Sequence, residues 1–265
     1  MGDLRSLAVR RLSRLGPDRL RVLGARSTGP LTIPVGLAQG LRLRGIPLSH
    51  AHLGVMAYGI LEPPVQEALR RHLGPGGVFY DVGANVGFFT LLGARLADEA
   101  GHAYAIEPAP DNAAAIRSNV ALNGLEASVT VLERAAGAGP GTGRLQLVDD
   151  QSWSKLAETG EHPGTDRTID VQVDALDDLG LRPPTLVKID VEGHELAVLA
   201  GMRRTLAAHA PVVVCELHDT AAEFVAFMDD AGYRVVNLES PGPIEAEPAP
   251  AHALALPAGR QWPVS

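Results

Sequence analysis

At 265 residues, 46% hydrophobic and 20% charged, the chain is long enough for one α/β domain with a modest appendage, and its composition excludes a disordered protein. One cysteine excludes an internal disulfide, no apolar stretch reaches the ~20 residues of a bilayer span, and no signal-peptide pattern opens the chain, so a cytoplasmic enzyme is expected. The net charge of −8 is uneven: nine arginines against Asp3 and Asp18 give +7 through residue 50, leaving −15 for the remainder.

Residues 1–25 read as helical, with Arg5, Arg10, Arg11 and Arg14 set against Leu4, Leu7, Leu12 and Leu15. A basic helix suits a polyanion, but the acidic body opposes one. We therefore expect no nucleic-acid or membrane partner, and an accessory helix that packs on the domain or on a second copy. Residues 30–48 suggest a hairpin, and Pro63–Leu73 has helical spacing stopped by Gly74-Pro75-Gly76-Gly77.

From there strands and helices alternate. Strands are expected at Val78–Val82, His102–Ile106, Ser128–Leu132, Thr185–Ile189 and Pro211–Glu216. Helices are expected at Phe88–Ala97, Asn112–Asn123, Glu195–His209 and Ala221–Ala231. Two late strands, Tyr233–Leu238 and His252–Leu256, close the chain, and residues 139–168 read as an irregular insertion. This order predicts a mostly parallel sheet of the Rossmann-like type with one antiparallel edge strand. Cys215, within Val212-Val213-Val214-Cys215-Glu216, reads as a buried hydrophobe and not a reactive thiol.

Asp81-Val82-Gly83-Ala84-Asn85-Val86-Gly87 follows the first of these strands and opens a helix, the place where an open α/β sheet binds ligands. Gly83 and Gly87 let the backbone turn sharply beside a ligand. A dinucleotide fingerprint would need glycines where Asn85 and Phe88 stand, and the Asp81 carboxylate would repel a pyrophosphate. That carboxylate suits a cation instead, such as the ammonium of a methionine moiety beside a sulfonium. Glu107, in Ile106-Glu107-Pro108 at the end of the next strand, is placed to accept ribose hydroxyls.

A second cluster stands at later strand ends: Asp190 and Glu192, Glu195 opening a helix, then Glu216 and His218. If a sulfonium bound there passes a methyl group to a hydroxyl, that hydroxyl's proton must be removed, and His218, neutral at pH 7 if unperturbed, is the candidate base with His194 in reserve. Alternatively Asp190, Glu192 and Glu216 offer hard oxygen ligands suited to Mg²⁺. Glu192 and Glu195 also fit the simpler role of charging a helix's first turn. Lys188 reads either as a snorkelling strand residue or as a partner of a strand-end carboxylate, and Trp153 as an adenine platform or core cover.

Phe79-Tyr80-Asp81-Val82-Gly83-Ala84-Asn85-Val86-Gly87-Phe88 resembles the cofactor loop of FkbM-type methyltransferases. The likeness continues through Ile106-Glu107-Pro108 with Asn112, Asn119–Gly124, Val187-Lys188-Ile189-Asp190-Val191-Glu192-Gly193-His194-Glu195 and Glu216-Leu217-His218, to the last strand. The resemblance implies a seven-stranded methyltransferase fold over residues 57–265, with 1–56 as an appendage serving as substrate lid or oligomer contact. It implies S-adenosylmethionine held by Asp81, Gly83, Asn85, Gly87, Glu107, Pro108 and Asn112, with Asp190, Glu216 and His218 near the acceptor. The acceptor it implies is a hydroxyl of a sugar or secondary metabolite. Transfer to an amide or amine nitrogen of a peptide, and a non-catalytic binding module, are the alternatives.

Overall fold

The computed structural model describes residues 29–44, 55–147, 154–156 and 167–260. The helix expected over 1–25, its oligomer contact, and Trp153 lie outside the described residues. A short hairpin, β1 (Leu31–Thr32) and β2 (Arg42–Leu43), precedes α1 (Pro63–His72). Alternation follows: β3 (Val78–Val82), α2 (Phe88–Ala97), β4 (His102–Ile106), α3 (Pro110–Asn123) and β5 (Val129–Leu132). Next come β6 (Ala135–Ala136), β7 (Gly141–Leu147), β8 (Ser154–Leu156) and β9 (Arg167–Asp174). The chain resumes with β10 (Leu186–Ile189), α4 (Glu195–Ala200), α5 (Arg203–His209) and β11 (Val212–Leu217). It ends with α6 (Ala221–Asp230), β12 (Tyr233–Asn237) and β13 (Ala251–Pro257).

Seven strands form one sheet in the order β12-β13-β11-β10-β3-β4-β5. All run parallel except β13, which pairs antiparallel with both β11 and β12. The antiparallel strand thus lies one place in from the edge, not on it. The crossover through α6 sets β12 parallel to β11 with a gap between them, and the last strand fills that gap.

Two further expectations give way. The helix expected over 195–209 breaks at Gly201-Met202, where the backbone runs so close to the Gly137 carbonyl that a Cβ on Gly201 would lie 1.9 Å from its oxygen. The expected irregular insertion instead holds β7 and β8, in a four-stranded sheet ordered β6-β9-β7-β8. β7 pairs along its whole length with β9, more than twenty residues later, so no local pattern announced it.

The strands bury both faces, as parallel strands do. Alternate residues divide between two cores. Phe79, Leu186, Val212, Val214, Leu254 and Leu256 pack on one side with residues of α1 and α2. Tyr80, Val187, Val213, Cys215 and Ala255 pack on the other with residues of α4 to α6. The described part of the appendage belongs to the first core: Ile33, Ala38, Leu41 and Leu43 are buried in it.

Asn119 of α3 ties that hairpin to the glycine loop. Its Oδ1 accepts the Arg44 backbone N–H at 2.7 Å and its Nδ2 donates to the Val86 carbonyl at 2.9 Å, with the side chain fully buried. Replacing Asn119 with Ala orphans both backbone groups and costs about 2–4 kcal/mol, read as a lowered midpoint in urea denaturation; an unchanged midpoint would contradict the bridging role.

Candidate active site

One rule of strand geometry assembles the site. Phe79 and Asp81 share a face of β3, as do Leu186 and Lys188 on β10, and Val214 and Glu216 on β11. Asp81 pairs in register with Lys188, Lys188 with Val214, and Glu216 with His252 of β13. At the carboxyl edge of the sheet the same face that buries the first core therefore turns polar. A cavity of about 440 Å³ opens there, lined by Asp81, Asn85, Glu107, Lys188, Asp190 and Glu216 together with Glu62 and His252.

The expected donor residues meet at one end of this cavity. Asp81, Gly83, Asn85, Glu107, Pro108 and Asn112 all line it. Gly87, which they do not include, caps α2 with φ +90°. Gly83 has φ +79°, and a Cβ on it would lie 1.8 Å from the Asp190 carbonyl oxygen, so the loops after β3 and β10 approach closely enough to exclude any side chain.

Asp81 is fully buried; its Oδ2 accepts the Thr90 hydroxyl at 2.5 Å, and its Oδ1 has no hydrogen-bond partner among the described residues. Burial raises its pKa, partly offset by the Lys188 charge. An unsatisfied buried carboxylate oxygen in a cavity wall is a fitting acceptor for an ammonium group.

Glu107 is held at the end of β4 by three donors. The N–H of Asn85 reaches Oε2 at 2.8 Å, while the N–H of Ala109 at 3.0 Å and the Asn112 side chain at 3.3 Å reach Oε1. Burial pushes its carboxyl up to about 7 against these hydrogen bonds. With three of roughly four lone-pair sites used, it keeps capacity for a ribose hydroxyl. The residues at this end fit S-adenosylmethionine.

Lys188, left open from sequence, organises the middle. It is 3% exposed, and its Nζ lies 2.9 Å from Asp190 Oδ2 and 5.0 Å from the centre of the Phe89 ring. Burial opposes its charge, but Asp190, Glu62 and Asp81 more than restore it and raise its pKa. In return, burial would raise the Asp190 pKa, but the Lys188 charge holds it below the ordinary value. Glu216, with Asp190 beside it, is pushed by burial and that charge up to about 8, so it keeps its proton at neutral pH.

The expected base stands at the margin of the cavity, near Asp190 and Glu216. His218 is absent from the cavity lining: its Nδ1 lies 2.8 Å from Glu195 Oε1 and its Nε2 3.4 Å from Glu192 Oε2. Burial favours the neutral ring, but the Glu195 hydrogen bond and the Glu192 charge outweigh it and raise the pKa to about 9. Glu195, fully buried, also accepts the Gly193 N–H and the Thr220 hydroxyl, so His218 and Glu195 clamp the β10–α4 turn. His194 sits at the amino-terminal cap of α4, outside the lining.

The metal trio expected from sequence does not converge either. Among the described residues, the groups close enough to share an ion are Asp190–Glu216–His218 and Glu62–Glu216–His252. Glu192 is turned toward His218, and the Lys188 ammonium already neutralises Asp190.

Glu62 and His252 escaped the sequence reading as site residues. Glu62 immediately precedes α1 with φ +40°. Glu62, Asn85 and Glu192 are three of the six described non-glycine residues with positive φ, and all three line the cavity, which places backbone strain at the site. The signal for His252 was one polar residue opening an otherwise apolar edge-type strand.

A sequence model of the family described as "Methyltransferase FkbM domain" matches residues 81–235. The chain is 28% identical over 243 residues to the 31-O-demethyl-FK506 methyltransferase FkbM of Streptomyces tacrolimicus, covering 77% of this chain and 92% of that protein. It is 31% identical over 146 residues to the hexuronic acid methyltransferase AglP of Haloferax volcanii, covering 53% of this chain and 56% of AglP. A solved structure of methyltransferase FkbM from Methylobacillus flagellatus KT aligns with a TM-score of 0.47 at 16% identity, over 78% of this chain and 54% of that one.

The shifted groups make stability depend on pH. His218 and His252, both raised to about 9, stabilise the fold fully below their unfolded value of about 6.5 and cease to do so as pH rises through 9. Glu107 and Glu216, raised to about 7 and about 8, likewise destabilise the fold as they ionise. The melting temperature of the ligand-free protein therefore falls between pH 6.5 and 9, and His218→Gln flattens part of that slope. A melting temperature constant across this window would refute the assignment.

Proposed function

The chain belongs to the FkbM methyltransferase family, enzymes that draw the methyl group from S-adenosylmethionine, and from that premise we propose that its acceptor is a hydroxyl on a small polar metabolite. The observation that carries the reading is the pair of buried acids at successive strand ends, Asp81 with an unsatisfied oxygen and Glu107 held by three N–H donors. A cavity continuous from these acids to Asp190, Glu216 and His252 gives donor and acceptor one shared space. One relative's name specifies an oxygen, that of 31-O-demethyl-FK506, and the other's a hexuronic acid.

Bound there, the donor supplies an electrophilic methyl carbon whose bond to sulfur is replaced by a bond to the acceptor, the sulfur keeping the electron pair. The protein's share is alignment and proton removal. Asp81 Oδ1 receives the donor's ammonium, and the Glu107 carboxyl its ribose. Gly83 and Asn85, both at positive φ, bring the loop backbone against it. Apolar side chains of Met56, Ile60, Leu61, Phe88 and Leu145 form part of the cavity wall.

An amine acceptor is favoured by one feature, the four carboxyl groups of Glu62, Asp190, Glu192 and Glu216 in the same wall, which suit a cation. The Lys188 ammonium, by contrast, fills the place a divalent ion would take beside Asp190, which speaks for metal-independent transfer.

Replacing Asp81 with Asn weakens S-adenosylmethionine binding by about 10–100-fold in calorimetry, since a charge-assisted hydrogen bond is lost; undiminished affinity would refute the donor assignment. Incubating metabolite pools with enzyme and a ¹³C-methyl donor, with and without EDTA, identifies the acceptor by mass spectrometry. We expect an O-methyl product formed equally in EDTA; an N-methyl product supports the amine reading, and loss of incorporation with EDTA restores the metal.

A further inference from the structure

We propose that His252 is the acid–base residue of the acceptor site, with Glu239 as its positioning residue. The inference rests on the hydroxyl-transfer reading above. Three observations carry it.

The first is place. His252 lines the cavity and pairs in register with Glu216, which itself stands one residue beyond the partner of Ile189 in β10. Gly83, Asp190, Glu216 and His252 therefore follow one row across four neighbouring strands, from the donor loop to the far wall.

The second is orientation. Glu239, after β12, accepts from His252 Nδ1 at 2.6 Å and from the His252 backbone N–H at 3.2 Å. A carboxylate on Nδ1 fixes the proton on that nitrogen and leaves Nε2 as the working atom, the same division of labour by which a carboxylate orients a catalytic histidine elsewhere. Among the described residues Nε2 has no hydrogen-bond partner, and it lies 3.3 Å from Glu62 Oε2.

The third is elimination among neighbours. His218 has both ring nitrogens engaged, Nδ1 by Glu195 at 2.8 Å and Nε2 beside Glu192 at 3.4 Å. Asp190 is held below the ordinary carboxyl range by Lys188, so it is a poor proton acceptor. Glu216 already holds a proton at neutral pH.

The groups facing the ring are Glu62 before α1, Glu216 on β11 and Glu239 after β12, with Lys188 of β10 beyond Glu62. Burial favours the neutral ring, but the hydrogen bond and charge of Glu62 and the hydrogen bond to Glu239 prevail and raise its pKa to about 9. At rest the ring is thus protonated at neutral pH, and the arrival of a sulfonium cation in the same cavity favours the neutral form. Before attack the ring loses its Nε2 proton to solvent past Glu62, and as the new carbon–oxygen bond forms Nε2 takes the acceptor's hydroxyl proton, returning the ring to its resting protonated state. The positive charge of the sulfonium is thereby matched by one released proton.

The test is the ring pKa of His252, followed by NMR with ¹³Cε1-labelled histidine and assigned by its loss in His252→Gln. Adding S-adenosylmethionine lowers it by roughly one unit, as expected for a charge within about 10 Å at an effective dielectric near 20. Adding S-adenosylhomocysteine, which lacks the sulfonium, leaves it nearly unmoved. Glu239→Gln, outside the cavity wall, lowers the ring pKa in the free protein. His252→Gln binds S-adenosylmethionine at neutral pH up to about tenfold more tightly in calorimetry, the reciprocal of the same charge coupling.

Equal shifts with both ligands, or no shift while calorimetry shows both bound, overturn the inference. So does a tenfold loss of donor affinity in His252→Gln, which would put the ring in the donor site. Failure of the wild-type protein to bind S-adenosylmethionine at all would instead overturn the donor reading on which the inference stands.

Discussion

The buried ammonium of Lys188 is the interaction on which the cavity depends. Six acidic side chains line a space of about 440 Å³, and without a cation among them their mutual repulsion and desolvation would be prohibitive. Lys188 reaches Asp190 directly and acts through space on Asp81 and Glu62, while its other flank rests on the Phe89 ring. It divides the acids into two sets: Asp190 stays ionised beside it, while Glu216, one strand further, keeps its proton. A neutral residue at 188 would free these carboxyls to hold protons or ions, and the chemistry of the wall would change with them.

The sheet supplies the frame for that arrangement without special devices. Each strand buries apolar residues on the first core until its last turn and then presents one polar side chain on the same face: Asp81, Lys188 and Glu216, with His252 at the start of the reversed strand. The other face stays apolar to its end at Val82, Ile189, Cys215 and Ala253, all buried. The site is therefore the polar margin of a hydrophobic core, rigid because the core behind it is packed. Cys215 belongs to this support; burial pushes its thiol well above the ordinary range, so it is inert.

Segments outside the central sheet complete the enclosure. Glu62, Met56, Ile60 and Leu61 approach from the chain before α1, and Ala135, Ala136 and Leu145 from the four-stranded sheet. These walls come from the parts of the chain least regular in sequence, where a fixed scaffold leaves room for specificity to vary.

The central alternation of strands and helices, the acid at 81 near the end of the first of them, the glycine at 83 and the acid at 107 were all legible in the sequence, because each rests on local pattern: period two in strands, punctuation by glycine, and a polar residue at a strand's end. The order of the last two strands, the pairing of β7 with β9, and the break at Gly201 were not, because each is set by a contact between residues far apart in the chain. The same division separates the two histidines. His218 looked like a base by standing after a strand, and tertiary contacts set its two ring nitrogens against Glu195 and Glu192; His252 looked like an ordinary strand residue, yet pairing with Glu216 and the hydrogen bond to Glu239 bring its ring to the cavity. Sequence determined which polar groups reach the edge of the sheet, and only tertiary structure decided which of them face one another, since electrostatic partnership depends on distance in space and not on spacing along the chain.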